Sequence, residues 1–402
     1  MLLRAFSTVF GAVLAAALVL APAQAQRSMT GAPKKDEPNL TAPHAILIAA
    51  ENGNVLFERA ADDLIFPASL AKLATAEYVF NELKQGRINL TDEYVVSENA
   101  WRRGGAPSHG STMFAALHSR VPVGDLLQGM IVQSANDACI VLAEALAGNE
   151  TEFGRKLTAR ARELGLAKSV FTNSNGLPDP NEKVTSRELA MLARHIILDY
   201  PDYYKIFSQP DFTWNKIRQQ NHNPLLGTLD GADGLKTGFT KEAGYGLVGS
   251  AVQNGLRLIA VVNGLKTAKD RADEGKKLLE WGFRNFEQRI LFAEGQTLGE
   301  AKVFGGDKGS VPLVADGVVR IMVPRSGGEK LIARIVYNGP APAPVRAGQS
   351  LGTLKVWRDN NLVLQVPLKT ASAVAKGTMS QRAVDGASEL VINLLRAGAQ
   401  RL

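Results

Sequence analysis

Phe66-Pro67-Ala68-Ser69-Leu70-Ala71-Lys72 is the stretch around which the rest of the chain is organised. Proline is favoured at the start of a helix, and an apolar pattern with helical spacing follows over 70–83. Ser69 and Lys72 are three residues apart, so a helix places both side chains on one face of its first turn. A lysine can then take the serine proton, provided that burial or a nearby positive charge lowers its pKa. Alone, this spacing is also that of an ordinary pair on a helix surface.

Strand patterns lie on both sides of this helical region. Asn52-Gly53 separates the apolar runs 45–50 and 55–57, and Asn254-Gly255 separates 245–252 and 256–263. Asn-Gly between apolar runs predicts a tight hairpin, because both turn residues adopt positive φ. Helical patterns fill the interval, at 70–83, 124–133, 137–147 and 151–164. Strands, helices and strands again predict an α+β fold with an antiparallel sheet covered by helices.

Two further motifs have residue types suited to a catalytic site. Ser134-Ala135-Asn136 falls between two helical patterns, where its asparagine or the following Asp137 is suited to cap the second helix. A similar triplet, Ser97-Glu98-Asn99, shows that Ser-x-Asn alone is weak. Lys236-Thr237-Gly238 precedes the second hairpin, which places it on a sheet edge. There its glycine would let a ligand backbone approach, and its lysine and threonine could donate hydrogen bonds to a carboxylate.

Ser-x-x-Lys, Ser-x-Asn and Lys-Thr-Gly, in this order, are the motifs of serine enzymes that recognise penicillin. The sequence closely resembles the low-molecular-mass penicillin-binding proteins that act as D-alanyl-D-alanine carboxypeptidases. The resemblance covers roughly residues 40–370 and extends to the terminal helix. It is carried by five segments, 66–77, 129–146, 213–221, 234–244 and 256–280. It implies a β-lactamase/transpeptidase-like domain followed by a small all-β domain and a C-terminal amphipathic helix.

The resemblance implies a serine acyl transfer that needs no metal and no organic cofactor. Ser69 resembles the acylated nucleophile, Lys72 its general base, and Ser134 the proton relay toward the leaving D-alanine. Asn136 would hold the substrate amide.

The same resemblance implies further substrate-binding residues. Lys236 would supply a positive field that also helps to keep Lys72 neutral. Thr237 and Arg271 would bind the terminal carboxylate, and Gly238 would allow the substrate to come close.

Two positions depart from the expected pattern of this family. The backbone N–H groups of Ser69 and Phe239 would form the oxyanion hole, but close relatives are expected to have a histidine at position 239. Only the backbone of Phe239 is required there, so the pocket would be more apolar without losing its chemistry. His222 stands where those relatives are expected to have an arginine, so carboxylate recognition would depend more on Arg271. Ala135 is at a position that varies freely in the family.

The N-terminus has the features of an export signal. Arg4 precedes an apolar run over 5–22, and Ala23-Gln24-Ala25 supplies small residues at the positions that a signal peptidase reads. The alternative is an uncleaved membrane anchor. The expected organisation is a signal peptide at 1–25, a linker at 26–42, a transpeptidase-like domain at 43–290, an all-β domain at 291–372 and a membrane-anchor helix at 376–402.

The all-β domain and the last helix have no chemical motif of their own. Short β-type runs occur at 318–323, 331–337 and 362–366, and a helical pattern at 277–286 precedes them. A spacer or scaffold is the expected role of the domain. The terminal helix has an apolar stripe at helical spacing and can either dock on its own domain or lie in a lipid interface.

Composition excludes several classes of function. Cys139 is the only cysteine, so no internal disulfide can form, and its apolar surroundings indicate a buried hydrophobe. The five histidines show no zinc-ligand spacing. The net charge of +7 suits an anionic membrane surface or an acidic wall polymer. Nucleic acid is not an expected partner, because basic and aromatic residues are not clustered and the chain is expected to be exported.

We therefore expect an exported, peripheral protein on the periplasmic face of the inner membrane. Its expected activity is removal of the terminal D-alanine from peptidoglycan stem peptides through an acyl-enzyme, and its expected inhibitors are β-lactam antibiotics that bind covalently. The alternatives are a DD-endopeptidase, a β-lactamase, and a non-catalytic wall-binding morphology protein.

Overall fold

The computed structural model describes residues 37–387 apart from 328–329 and 359–360. The expected signal peptide, most of the expected linker and the second half of the expected terminal helix lie outside the described residues.

The described part of the first domain contains nine strands, eight α-helices and three short 3-10 helices. Its strands are β1 His44–Ala49, β2 Val55–Arg59, β3 Glu93–Val95, β4 Arg120–Pro122, β5 Asp211–Trp214, β6 Ile217–Gln220, β7 Ala232–Thr240, β8 Gly244–Gln253 and β9 Leu256–Leu265. Its helices are α1 Lys72–Lys84, α2 Glu98–Arg103, α3 Val123–Val132, α4 Asn136–Ala147, α5 Glu150–Glu163, α6 Ser186–Asp199, α7 Pro201–Tyr204 and α8 Ala268–Asn285.

Five of the strands form one antiparallel sheet in the order β2-β1-β9-β8-β7. Both faces of this sheet are buried, because alternate side chains of a strand point to opposite faces. Ile46 and Ile48 pack in a core with helices α1, α3, α4 and α6. Leu47 lies on the other face, in a second core with Leu278 and Leu279 of α8. The predicted antiparallel sheet covered by helices is therefore confirmed.

Both predicted hairpins are present, but their turns differ. In the β8–β9 turn, Asn254 and Gly255 have φ of 50° and 77°, as the sequence predicts. In the β1–β2 turn only Gly53 has a positive φ. There Oδ1 of Asn52 accepts a hydrogen bond of 3.0 Å from N–H of Asn54, an Asx turn that replaces the second left-handed residue.

The second domain is all-β, as predicted. Its strands are β10 Phe286–Phe292, β11 Thr297–Phe304, β12 Ser310–Ala315, β13 Val319–Pro324, β14 Leu331–Val336, β15 Ala341–Pro342, β16 Ser350–Arg358 and β17 Asn361–Thr370. Six of them form a sheet in the order β14-β16-β17-β12-β11-β15, and β10 pairs with β13. An apolar core of its own includes Val311, Leu313, Ile321 and Leu368.

The junction between the domains differs from the expected one. Helix α8 begins at Ala268, nine residues before the predicted start, and strand β10 follows it directly. Because β10 pairs with β13 of the second domain, we propose the boundary at 285–286 instead of 290.

The described part of the expected terminal helix is helical over 379–387, with Met379 and Val384 exposed. Within the described ranges, no helix is long and apolar enough to cross a bilayer.

Candidate active site

Ser69 lies in a single turn of 3-10 helix over Ala68–Ala71 that leads into α1. Ala68, the residue before it, has a φ of 48°, a left-handed conformation that is costly for a residue with a Cβ. Gly176 packs against this turn so closely that a Cβ there would lie 1.8 Å from the carbonyl oxygen of Ala68. The nucleophile candidate is therefore held by a strained turn that a distant loop supports.

Lys72 is 2% exposed, and its Nζ contacts three oxygens. It lies 2.9 Å from Oγ of Ser69, 2.9 Å from Oδ1 of Asn136 and 2.7 Å from the carbonyl oxygen of Asn175. A neutral amine has two N–H donors and one lone pair, so it can donate to the two carbonyl oxygens and accept the Ser69 proton. The arrangement thus suits a general base that acts on Ser69.

Burial lowers the pKa of Lys72, because the charged ammonium is disfavoured away from water. The Cys139 thiol and the carboxylates of Glu182, Asp137 and Glu150 act in the opposite direction without cancelling this effect. Burial, not Lys236, is therefore the main cause of the lowered pKa.

Asn136 begins α4 but does not cap it, so the predicted capping by Asn136 or Asp137 is wrong. The N-cap residue is Ala135, without a side-chain hydrogen bond. Asp137 is buried instead, and its carboxylate accepts hydrogen bonds from Oγ1 of Thr112 and from three backbone N–H groups. The second Ser-x-Asn triplet has an ordinary structural role, because Oγ of Ser97 caps α2.

Ser134 connects α3 to α4 with a φ of 63° and is 3% exposed. A left-handed conformation in a serine is uncommon and concentrates at functional sites. Cys139 lies one turn into α4, where its Sγ donates to the carbonyl oxygen of Ala135 at 3.2 Å. Burial raises the pKa of Cys139 to about 12, which agrees with the predicted buried hydrophobe.

Lys236, Thr237 and Gly238 lie on β7, the predicted edge strand of the sheet. Lys236 is 2% exposed; burial and the positive charges of Lys72 and Arg271 lower its pKa. A Cβ at Gly238 would lie 3.1 Å from the carbonyl oxygen of Pro67 and 3.1 Å from a side-chain carbon of Leu70. The glycine therefore lets β7 approach the Ser69 turn, a contact within the chain that the sequence did not reveal.

Phe239, Tyr245 and Arg271 form a stack at the rim of the site. The rings of Phe239 and Tyr245 are 4.1 Å apart, and the Arg271 guanidinium lies 5.5 Å from the Tyr245 ring. Phe239 is 51% exposed, which gives the rim an apolar surface. Arg271 is half-buried and forms no ion pair with any described carboxylate, and its Nε lacks a hydrogen-bond partner. A guanidinium in this position can bind an anionic group.

His222 faces the same group of cations. The pKa of His222 is lowered to about 4, mainly by desolvation and then by the positive charges of Lys236, Arg271 and Lys72. The side chain is therefore neutral at neutral pH and adds no cation to the site.

A cleft of about 510 Å³ opens beside Ser69, and Lys72, Ser134, Lys236, Thr237 and Arg271 are not among the residues that line it. It is lined by Ser69, Asn136, Asn175, Phe239 and Thr240 among others. The described residues contain no group of three or more potential metal ligands. Sequence reasoning missed Asn175, Tyr245 and the buried Glu182 beside the cleft; the turn residues Ser174-Asn175-Gly176 were the one available signal for the first.

Comparison with known proteins agrees with this geometry. The D-alanyl-D-alanine carboxypeptidase family matches residues 31–267, and the C-terminal domain of penicillin-binding protein 5 matches residues 286–376. The D-alanyl-D-alanine carboxypeptidase DacA of Haemophilus influenzae is 39% identical over 84% of this chain and 86% of its own length. DacC of Escherichia coli is 38% identical over 87% of this chain and 88% of its own.

Solved structures show the same likeness. Penicillin-binding protein 5 from Haemophilus influenzae is 38% identical, with a TM-score of 0.76 over 85% of this chain and 99% of that one. Penicillin-binding protein D2 from Listeria monocytogenes in an ampicillin-bound form is 32% identical, with a TM-score of 0.54 over 61% of this chain and 99% of that one. Together with the family match over more than half of its length, these relatives show that the chain belongs to the serine D-alanyl-D-alanine carboxypeptidases of the penicillin-binding protein 5 type.

Proposed function

We propose that this chain removes the terminal D-alanine from peptidoglycan stem peptides, with Ser69 as the acylated nucleophile. The assignment of Ser69 as the nucleophile depends on one observation. The buried amine of Lys72 lies 2.9 Å from Oγ of Ser69 and has two carbonyl oxygens as its other partners. Its family membership supports the reaction class.

In the first step, Oγ of Ser69 attacks the carbonyl carbon of the penultimate D-alanine while Nζ of Lys72 takes the hydroxyl proton. The C–N bond breaks as the proton passes through Ser134 to the leaving amine. The backbone N–H groups of Ser69 and Phe239 stabilise the oxyanion, a contribution worth about 3–4 kcal/mol per donor in other enzymes. Water then attacks the ester carbonyl and gives a proton to Lys72. The ester C–O bond breaks, and Lys72 returns the proton to Oγ of Ser69.

Recognition of the substrate uses the edge strand and its surroundings. Asn136 holds the substrate amide, and Lys236 provides positive charge near Ser134. Thr237 and Arg271 bind the terminal carboxylate. The half-buried guanidinium without an ion-pair partner in the described part of the chain supports the role of Arg271.

A β-lactam antibiotic presents a strained amide and a carboxylate to the same residues. Opening of its ring acylates Ser69, and the leaving nitrogen stays attached to the acyl group and obstructs the approach of water. We therefore propose β-lactams as covalent inhibitors; the ampicillin-bound form of the Listeria protein supports this.

We further propose that the protein is exported and lies on the periplasmic face of the inner membrane. The signal-like segment 1–25 and the net charge of +7 support this location. The helix that starts at Met379 would bind an anionic lipid surface, and its exposed Met379 and Val384 support that role.

Release of D-alanine from diacetyl-Lys-D-Ala-D-Ala by the purified protein tests the proposal, with fluorescent penicillin labelling alongside. Loss of both signals in Ser69→Ala would support the carboxypeptidase reaction and its nucleophile. Penicillin labelling without release of D-alanine would contradict the proposed substrate and would indicate cleavage of cross-links instead. Fast hydrolysis of nitrocefin would instead identify a β-lactamase.

A further inference from the structure

A second pocket, of about 220 Å³, lies directly beside the catalytic cleft. The two share three lining residues, Gly176, Leu177 and Thr240. A group bound in the cleft can therefore extend a side chain into the second pocket.

The distance along β7 indicates which part of a substrate would reach it. A peptide whose carboxylate binds at Thr237 and whose reacting carbonyl lies at Ser69 extends toward Thr240. Thr240 is three residues, or about 10 Å, beyond Thr237 on an extended strand. In a stem peptide this places the third residue from the carboxyl end, the diamino acid, beside the pocket.

The pocket has apolar walls and an acidic part. Phe66, Leu177 and Pro178 contribute apolar surface, and Asp179, Glu182 and Glu242 contribute carboxyl groups.

Glu182 is the unusual member of this set. It is 1% exposed, and its Oε1 accepts no hydrogen bond from any residue that the structure describes. Its Oε2 has a long contact, 3.4 Å from Nδ2 of Asn173, and the carboxyl group also receives a hydrogen bond from the backbone N–H of Thr172. A buried carboxyl oxygen without a hydrogen-bond donor is costly, and a cation in the pocket would supply a donor to Oε1 and a compensating charge. Burial, and then the charge of Asp179, raise the pKa of Glu182 to about 8, although the hydrogen bonds from Thr172 and Asn173 and the charge of Lys72 act in the opposite direction.

We propose that this pocket binds the ammonium-bearing side chain of the diamino acid in the stem peptide, with Glu182 as the residue that recognises the cation. This inference rests on the proposed function and names the part of the substrate that is selected. The aliphatic part of the side chain contacts Phe66 and Leu177, and the ammonium group donates to the Glu182 carboxylate. Glu182 is a specificity residue, and it does not take part in the acyl transfer.

Three peptides test this inference: acetyl-Lys-D-Ala-D-Ala with a free ε-ammonium, its ε-acetylated form, and the norleucine analogue. We expect kcat/KM to be about tenfold or more higher for the free ammonium than for the norleucine analogue. In Glu182→Gln this ratio falls to within about twofold. Any change in kcat/KM for the norleucine analogue should match the change in the rate of penicillin labelling, because both report only the effect of Glu182 on Lys72. Glu163→Gln, a remote exposed carboxylate on α5, is the matched control and keeps the wild-type ratio.

Equal kcat/KM values for the three peptides in the wild-type protein would overturn the inference and leave the carboxypeptidase reaction intact. An equal loss for all peptides and for penicillin in Glu182→Gln would also overturn it, because it would show that Glu182 acts through Lys72. If no peptide is hydrolysed, the proposed function fails separately. Competition of the same peptides against penicillin labelling then measures the preference without turnover.

Discussion

The carbonyl oxygen of Asn175 accepts a hydrogen bond of 2.7 Å from Nζ of Lys72, across 103 residues of sequence. Together with Oδ1 of Asn136 it occupies two of the three directions around the amine. The third direction points to Ser69. The backbone of a distant loop thus orients the lone pair of the proposed general base toward the proposed nucleophile.

The first prediction concerns the charge beside this amine. Asn136→Asp places a carboxylate 2.9 Å from Nζ of Lys72 and therefore raises the pKa of Lys72. Because burial lowers that pKa in the wild-type protein, acylation should rise with pH as Lys72 loses its proton, and the rise should move to higher pH in the variant. Near neutral pH the variant should acylate at least tenfold more slowly.

The rate of fluorescent penicillin labelling between pH 5 and 10 measures this effect. Asn136→Ala is the control, because it removes the amide without adding charge. The same pH profile in Asn136→Asp and the wild-type protein would contradict the role of Lys72 as the base.

The second prediction concerns Gly238. A Cβ at this position would lie 3.1 Å from the carbonyl oxygen of Pro67 and 3.2 Å from the backbone nitrogen of Leu70. Gly238→Ala should therefore displace the Ser69 turn, destabilise the protein by about 1–3 kcal/mol and slow acylation. Thermal unfolding and penicillin labelling measure both effects.

Gly309→Ala is the matched control, because a Cβ at Gly309 has no heavy atom within 4 Å. Should Gly238→Ala label as fast as the wild-type protein, the close contact between β7 and the turn would not matter for the reaction.

The site shows which features a sequence can predict. The positions of Ser69, Lys72 and the Lys236-Thr237-Gly238 strand follow from local patterns, because helical spacing and a hairpin signal place them. The contacts of Asn175 and Glu182 could not be predicted in this way. They depend on a loop whose approach to α1 is set by tertiary packing, including the fit of Gly176 against Ala68.

In the fold, too, local features could be predicted from the sequence and features set by tertiary packing could not. The two Asn-Gly hairpins were predictable, because a turn of two residues is a local property. Strands β10, β11 and β16 were missed, since their side chains are only partly buried and do not alternate clearly. Strand β12 was missed although its residues alternate between half-buried and buried. Their pairing is fixed by the β domain as a whole. The role of Gly238 in internal packing was missed for a similar reason, because its neighbours belong to another element.

The third prediction concerns Arg271. Its guanidinium is half-buried and has no carboxylate partner in the described part of the protein, so we expect it to bind the substrate carboxylate. Arg271→Ala should lower kcat/KM for a D-Ala-D-Ala peptide by about 10- to 100-fold. For the corresponding peptide with a C-terminal amide, kcat/KM of the variant should stay close to that of the wild-type protein.

Kinetics of D-alanine and D-alaninamide release provide this comparison. His222→Ala serves as the control, because a histidine whose pKa is about 4 is neutral at the assay pH. An equal loss on the acid and the amide peptides in Arg271→Ala would show that Arg271 supports the fold and does not recognise the carboxylate.

The last prediction concerns the stability of the helical layer. Glu77 on α1 is 1% exposed, and its carboxylate contacts Arg160, His195 and Tyr200. Burial raises its pKa, but the hydrogen bonds from His195 and Arg160 outweigh this effect and lower it below the usual value of 4.5.

A carboxyl group with a lowered pKa in the folded state stabilises the protein above its unfolded pKa, and this contribution is lost as the pH falls through the folded pKa. Glu77→Gln should therefore reduce the free energy of unfolding by up to about 3 kcal/mol at pH 7, because the half-buried Arg160 then keeps only the exposed Glu163 as an ion-pair partner. The loss should shrink as the pH falls through the lowered folded-state pKa of Glu77, where the wild-type carboxyl group becomes protonated. Glu163→Gln removes the other, exposed carboxylate of Arg160 and should cost at most about 1 kcal/mol. Urea denaturation of the three proteins at pH 7 and at pH 3.5 measures these values. A similar cost for the two substitutions at pH 7 would mean that burial of Glu77 does not strengthen the network.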